Sequence, residues 1–380
     1  LLAVIVGLST RPLLPVDELR YIAVAWEMWE RGEFLVPYLN GEPYSHKPPL
    51  YFWLIHAGWW VFGVNEWSAR LVAPLLTLLV LVATTRLARL LWPDSTATAR
   101  LAPPVLFAGV FLVAFFTWLQ IDLLLVLMTV LAMIGIVTVA QGRSFGWVMT
   151  GAAIGLGVLA KGPVILLHVL PAALLMPLWR PAGLVGDTRR WYVGVFAALA
   201  LAAVIALAWA LPAALVGGDA YARAILWGQT AGRVVESFAP AHPVWWYLPW
   251  LPLLFAPWIL LPWLWSAARA AWSERDAGLK FCLIWLLTVL VLLSLISGKQ
   301  LKYLVPLLPA FALLVARTLA AMKSQVIERR PLLLAVVVAV LGVVGMLAPF
   351  LLEQAPWLNT VHPGWGLLLV IVAGILWRLP

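Results

Sequence analysis

Apolar residues fall in long unbroken runs along the chain, and polar positions collect in short clusters between them. About 20 apolar residues cross a bilayer as a helix. On that measure the runs predict twelve spans, near 1–10, 68–91, 101–118, 121–141, 146–160, 163–179, 191–216, 244–266, 281–297, 303–321, 332–351 and 364–379. The first opens at Leu1 without a Met and meets Arg11 after about ten apolar residues, so it reads as the remainder of a longer span. Strands of a transmembrane barrel would alternate polar and apolar residues, which excludes that architecture. The pattern is that of an all-α polytopic membrane protein.

One segment departs from it. Residues 17–70 carry 11 charges in 54 positions, and predict a surface loop (11–67) rather than another crossing. Asp17 can cap the helical run that follows it. Within that run Ile22, Ala25, Trp26 and Trp29 recur at helical spacing, with Arg20, Glu27 and Arg31 on the other side. This is the pattern of an amphipathic interfacial helix, ended by Gly32. A turn at Asn40-Gly41 and the stretch Tyr44-Ser45-His46-Lys47-Pro48-Pro49 lead into a second, aromatic helix from Leu50 to Phe62. Prolines favour the first helical turn, so Lys47 sits beside a helix N-terminus, where an ammonium and exposed N–H groups suit a phosphate. An interfacial lysine snorkelling to headgroups is the bland alternative.

Composition agrees with the pattern: 64% hydrophobic, 11% charged, mean hydropathy +1.00. The 24 Trp suit interfacial aromatic belts. A net charge of +9 invites a nucleic-acid reading, but its distribution argues against one. With Leu1 on the cytoplasmic side, the inner ends and loops hold 15 basic residues against five acidic, and the outer side ten against 11. That asymmetry is the positive-inside rule, and no nucleic acid is needed to explain it. The single cysteine, Cys282, lies inside an apolar run and reads as a buried structural thiol. No fixed-period repeat, long linker or cleaved signal peptide is visible. The chain reads as one transmembrane domain over 1–380, with a second outer loop at 217–243 that holds another interfacial helix.

The remaining outer-side charges are few. Asp122 opens the fourth span, and Lys161 stands in the tight break Ala160-Lys161-Gly162-Pro163. Lys299 and Lys302 precede the tenth span in Gly298-Lys299-Gln300-Leu301-Lys302-Tyr303, and Arg233, Glu236 and His242 lie on the second outer loop. Ionisable groups at membrane depth are costly and default to function. Asp122 as a helix cap and snorkelling lysines are the structural alternatives. A transporter would place such groups near mid-membrane on broken helices. Here His168 is the main polar exception inside a span, read as a hydrogen-bonded packing residue. Acids and cations gathered at one membrane surface suit a lipid substrate whose phosphate lies at the interface, with a carboxylate beside it to activate a nucleophile.

The first loop also resembles a known family. Asp17-Glu18-Leu19-Arg20-Tyr21, Gly32, Pro37, Leu39-Asn40-Gly41, Pro43-Tyr44 and Lys47-Pro48-Pro49-Leu50 are similar to the corresponding loop of bacterial polyprenyl-phosphate-sugar glycosyltransferases. These are the aminoarabinose and mannosyl transferases of the GT-C type. Asp122, the Ala160–Pro163 motif, Arg233 with His242-Pro243-Val244-Trp245-Trp246-Tyr247, and Lys299–Pro306 continue the likeness in order. The resemblance implies a GT-C fold with about 12 transmembrane helices, and a polyprenyl-phosphate-linked sugar as donor. It implies Asp17 as the catalytic carboxylate, Asp122 as a second acidic site residue, and Lys47 and Tyr303 on the donor phosphate. Many members have Glu where this chain has His46, and some carry a soluble outer domain not seen here after the last span.

The expectation is therefore an integral-membrane transferase of the bacterial inner membrane, its site facing the periplasm. It would move the sugar to a lipid or protein acceptor by one inverting displacement. Asp17, Glu18 and Asp122 are the catalytic candidates. Lys47, Lys161, Arg233, His242, Lys299, Lys302 and Tyr303 are the candidates for donor and phosphate binding. No cofactor is required, although His46 and His242, completed by Glu18 or Asp122, could take a divalent metal. A flippase for polyprenyl-linked sugars is the alternative, since it could use the same phosphate-binding lysines without a base.

Overall fold

The computed structural model describes Leu8, Leu13 and residues 16–180, 188–228, 239–271, 276–322, 332–351 and 364–378. The span expected near 1–10 lies outside the described residues apart from Leu8. The first loop gives α1 (Asp17–Arg31), a two-strand hairpin of β1 (Tyr38–Leu39) and β2 (Glu42–Pro43), α2 (Leu50–Phe62) and α3 (Glu66–Arg70). Then follow α4 (Val72–Leu91), α5 (Thr96–Phe107), α6 (Val110–Phe115), α7 (Ile121–Ala140), α8 (Gly146–Lys161), α9 (Ile165–Leu174), α10 (Met176–Trp179) and α11 (Thr188–Arg223). The C-terminal part holds α12 (Leu251–Leu254), α13 (Pro262–Ala271), α14 (Ala277–Leu295), α15 (Leu308–Ala321), α16 (Leu332–Leu351) and α17 (Gly364–Arg378).

Five described helical stretches are long and apolar enough to cross a membrane: Glu66–Leu91, Ile121–Ala140, Thr188–Gly228, Ala277–Leu295 and Leu301–Ala321. Several shorter apolar helices accompany them, so this is a multi-pass membrane protein, but the described residues do not form twelve uniform spans. The run 244–266 is not one helix. It divides into a 3₁₀ turn at Val244–Trp250, α12, a second turn at Trp258–Leu260 and the start of α13. Pro249, Pro252, Pro257 and Pro262 each lack the N–H an α-helix needs, which explains the division. The run 101–118 likewise breaks at Gly109, whose extended backbone separates α5 from α6. In the second outer loop α11 passes a non-helical Gly218 and continues to Arg223, and residues 229–238 of that loop lie outside the described residues.

Helix α1 ends as its sequence predicts. Gly32 adopts φ 67°, its N–H donates to the Trp29 carbonyl and the Glu33 N–H to the Met28 carbonyl. The face that packs on the rest of the protein is offset from the apolar stripe expected at the membrane surface. Tyr21, Val24, Ala25 and Met28 are buried, while Trp26 is 47% exposed. The stripe is shifted by one residue, about 100° around the helix. Packing on α2 selects it: the Tyr21 and Tyr51 rings lie 5.8 Å apart edge to face, and His56 Nε2 bonds the Ala25 carbonyl at 2.9 Å. The Asn40-Gly41 turn has both residues at positive φ (56° and 85°), the combination a two-residue hairpin needs. The Gly41 N–H also donates to Glu27 Oε1 at 2.8 Å, tying the hairpin to α1.

Helices α7 and α8 pack antiparallel at backbone contact. A Cβ at Gly135 would stand 2.6 Å from the Gly146 carbonyl oxygen, and one at Gly146 would stand 2.3 Å from that of Gly135. Small residues let membrane helices approach this closely. The approach also sets the spacing at the other end of the pair, where Asp122 meets Lys161. Gly135→Leu should therefore sharply lower the yield of monodisperse protein in size-exclusion chromatography. Wild-type yield and thermal midpoint in that variant would show the contact to be dispensable.

Candidate functional site

Asp17 does not cap α1. Val16 holds the N-cap position at φ 76°, ψ −77°, a strained conformation for a β-branched residue, and no side chain caps the helix. The Asp17 carboxylate instead accepts a hydrogen bond from Lys302 Nζ at 2.8 Å, across 285 positions of sequence. Burial by itself would raise the Asp17 pKa. The Lys302 hydrogen bond and charge, joined by the charges of Lys47 and Arg20, outweigh it and hold the carboxyl below its ordinary value. Asp17 is thus an anion at neutral pH, half-sheltered and surrounded by cations.

Asp122 does not cap its helix either. It lies in the first turn of α7, 1% exposed, in a short buried ion pair with Lys161 at the C-terminus of α8. The Lys161 ammonium also stands 5.0 Å above the Tyr303 ring. Glu18, 1% exposed, accepts the Leu119 N–H at 2.8 Å, so it joins α1 to the entry of α7. Tyrosines line the ground between these acids. Tyr21 feels the charges of both Asp17 and Asp122, and the fully buried Tyr51 those of Glu18 and Asp122. The Tyr51 hydroxyl has no hydrogen-bond partner among the described residues. The sequence reading did not assign these phenols a role. The one available signal was spacing: Tyr21 stands one turn after Asp17, and Tyr51 four residues after Lys47.

Lys299, expected on the phosphate, is 2% exposed, and its ammonium donates to the His242 carbonyl at 3.0 Å and to the Ile296 carbonyl. Two of its three N–H donors thus lie on carbonyls, which ties the second outer loop to the entry to Leu301–Leu307. Backbone bonds reinforce this, from His242 N–H to Ser297 and from Lys299 N–H to Pro240. The His242 ring stacks on Trp246, centroids 4.3 Å apart. An apolar groove of about 640 Å³ opens beside this loop, walled by Phe111, Phe115, Trp118, Trp246 and Leu253, with Lys299, Gln300 and Lys302 in the same wall. Lys302 therefore belongs both to the groove and to the ion pair with Asp17.

Arg233 lies outside the described residues. His46 is exposed, its ring 5.2 Å from that of Tyr44. Among the described residues no three or more His, Cys, Asp or Glu side chains come together as a group that could hold a metal ion. His168 is fully buried as expected, but neither ring nitrogen has a hydrogen-bond partner among the described residues, contrary to the expected satisfied histidine. Cys282 is buried, as its surroundings predicted. At the opposite end of the bundle, Asp276 caps α14 through the Leu279 N–H, accepts from Trp92 Nε1 and pairs with Arg317 at 3.1 Å.

Residues 46–213 match the sequence family described as dolichyl-phosphate-mannose-protein mannosyltransferase. The undecaprenyl phosphate-alpha-4-amino-4-deoxy-L-arabinose arabinosyl transferase of Pseudomonas aeruginosa (strain UCBPP-PA14) is 33% identical over 334 residues. That alignment covers 83% of this chain and 57% of the relative. The crystal structure of ArnT from Cupriavidus metallidurans bound to undecaprenyl phosphate superposes with a TM-score of 0.80. Its identity is 22%, and the match covers 98% of this chain and 68% of that one. In sequence and in fold the chain is similar to the GT-C-type polyprenyl-phosphate-sugar glycosyltransferases. The namesake transferase of Erwinia tasmaniensis is 29% identical, with 94% of this chain and 64% of that protein covered. This chain thus spans rather more than half the length of such curated relatives.

Proposed function

We propose that the protein is a membrane glycosyltransferase that takes a sugar from a polyprenyl-phosphate donor at the outer, periplasmic face of the bacterial inner membrane. The observation that carries this reading is the double position of Lys302, in the wall of an aromatic groove and on the carboxylate of Asp17. A polyprenyl tail in the groove would bring its phosphate to Lys302, and the sugar to Asp17. The acceptor hydroxyl, on a lipid or a protein, attacks the anomeric carbon from the face opposite the phosphate. As the new bond forms, the bond to the phosphate oxygen breaks and its electron pair stays on the phosphate. Asp17 takes the hydroxyl proton. Lys47 and Lys302, with Arg233 from the second outer loop, offset the charge growing on the leaving phosphate. Glu18 and the Asp122–Lys161 pair hold α1, α7 and α8 in register around that point.

The test is incubation of purified protein with labelled polyprenyl-phosphate sugar and candidate acceptors in detergent. Cleavage of the sugar–phosphate bond is expected, whereas a flippase would move the lipid in proteoliposomes and leave that bond intact. In the same assay Lys47→Ala should weaken donor binding by roughly ten- to a hundredfold, the worth of one charge-assisted contact. Lys47→Arg should recover only part of it, since a broad guanidinium replaces a compact ammonium. Equal donor affinity for wild type and Lys47→Ala would remove Lys47 from the phosphate site.

A further inference from the structure

A second groove lies at the end of the bundle away from Asp122. It has a volume of about 560 Å³ and runs between α4 and α7, closed by the turn that leads into α8. Leu79 on α4 and Leu127, Leu131 and Ile134 on α7 form its apolar wall, and Arg86 and Arg143 line it from α4 and from the turn. Both arginines are exposed, and neither guanidinium has a hydrogen-bond or ion-pair partner among the described residues. Two exposed guanidiniums sharing one groove wall add their positive charge there, which favours an anionic ligand. From Leu127 to Thr138, which also lines the groove, the wall runs eleven residues along α7, roughly 16 Å. That is about half of a hydrocarbon core some 30 Å thick, the depth of one leaflet.

We infer that this groove is a binding site for an anionic glycerophospholipid. An acyl chain lies along α7 and the headgroup phosphate bridges Arg86 and Arg143. The leaflet-length wall favours such a lipid over a polyprenyl phosphate, whose chain would outrun it. The site is separate from the transfer site, although both are built on α7: Asp122 stands about one and a half turns before Leu127.

Native mass spectrometry of the detergent-solubilised full chain tests it, with phosphatidylglycerol and phosphatidylcholine of matched acyl chains as probes. Wild type should retain phosphatidylglycerol roughly tenfold or more over phosphatidylcholine, from two arginines near the membrane surface. The R86Q/R143Q variant should lose that preference. R89Q/R100Q, which removes two exposed arginines of the same end outside the groove, should keep it. Leu131→Trp, which fills the groove and leaves both arginines, should lower retention of both lipids. Equal retention of the two lipids by wild type, or an undiminished preference in R86Q/R143Q, would overturn the site. Displacement of phosphatidylglycerol by polyprenyl phosphate at equal concentration would overturn its assignment to a glycerophospholipid.

Discussion

Asp17→Asn is expected to lower sugar transfer by about 10²–10⁴-fold, the usual worth of general-base catalysis. Donor affinity should hold or rise, because the substitution releases Lys302 from its carboxylate partner. A separate fall in both rate and donor binding would instead point to a structural role for Asp17. The pH dependence follows the sign of its pKa. The native value lies below that of the unfolded chain, so the ion pair contributes its full stability above the ordinary carboxylate value near 3.8. That contribution disappears as pH falls through the lower native value. Thermal midpoints of wild type and Asp17→Asn should therefore converge on acidification and differ at pH 7. In the same variant, near-normal turnover measured by donor consumption would exclude Asp17 as the base.

The second large effect concerns Asp122 and Lys161. Their side chains are 2% and 7% exposed, so removing one charge leaves the other buried and uncompensated. Breaking such a pair costs about 3–5 kcal/mol, whereas replacing both members with apolar groups of similar size is often neutral. Asp122→Asn and Lys161→Met should each lower the unfolding midpoint strongly. The double variant Asp122→Leu/Lys161→Met should regain most of that stability. Turnover should stay lost in the double variant, because Tyr303 and the entry of α7 lose the charges that orient them. A stable double variant with restored turnover would reduce the pair to a packing feature.

Most of the architecture was open to periodicity alone. Gly32, the Asn40-Gly41 turn and α7 through α9 stand close to where local chemistry placed them. Which face of α1 packs on α2 was not, because a helix rich in aromatics offers two candidate stripes one residue apart. Only contact with Tyr51, Phe52 and His56 of α2 decides between them. The run 244–266 was misread for a related reason. Hydropathy averages over proline, while the helix ladder does not.

Composition, charge asymmetry and long apolar runs by themselves determined an α-helical, multi-pass membrane protein. They also marked Asp17, Lys47, Asp122, Lys161, Lys299 and Lys302 as ionisable groups out of place, because burying a charge in apolar surroundings needs a reason in any fold. What they could not supply was the pairing. Asp17 with Lys302, Asp122 with Lys161 and Glu18 with the Leu119 N–H join positions 285, 39 and 101 residues apart. No local rule links such positions. The tertiary structure also gave two lysines of the same groove different acceptors, backbone carbonyls for Lys299 and the Asp17 carboxylate for Lys302. An ammonium's chemistry is the same wherever it occurs in the sequence, and the acceptors that packing brings within 3 Å decide its role.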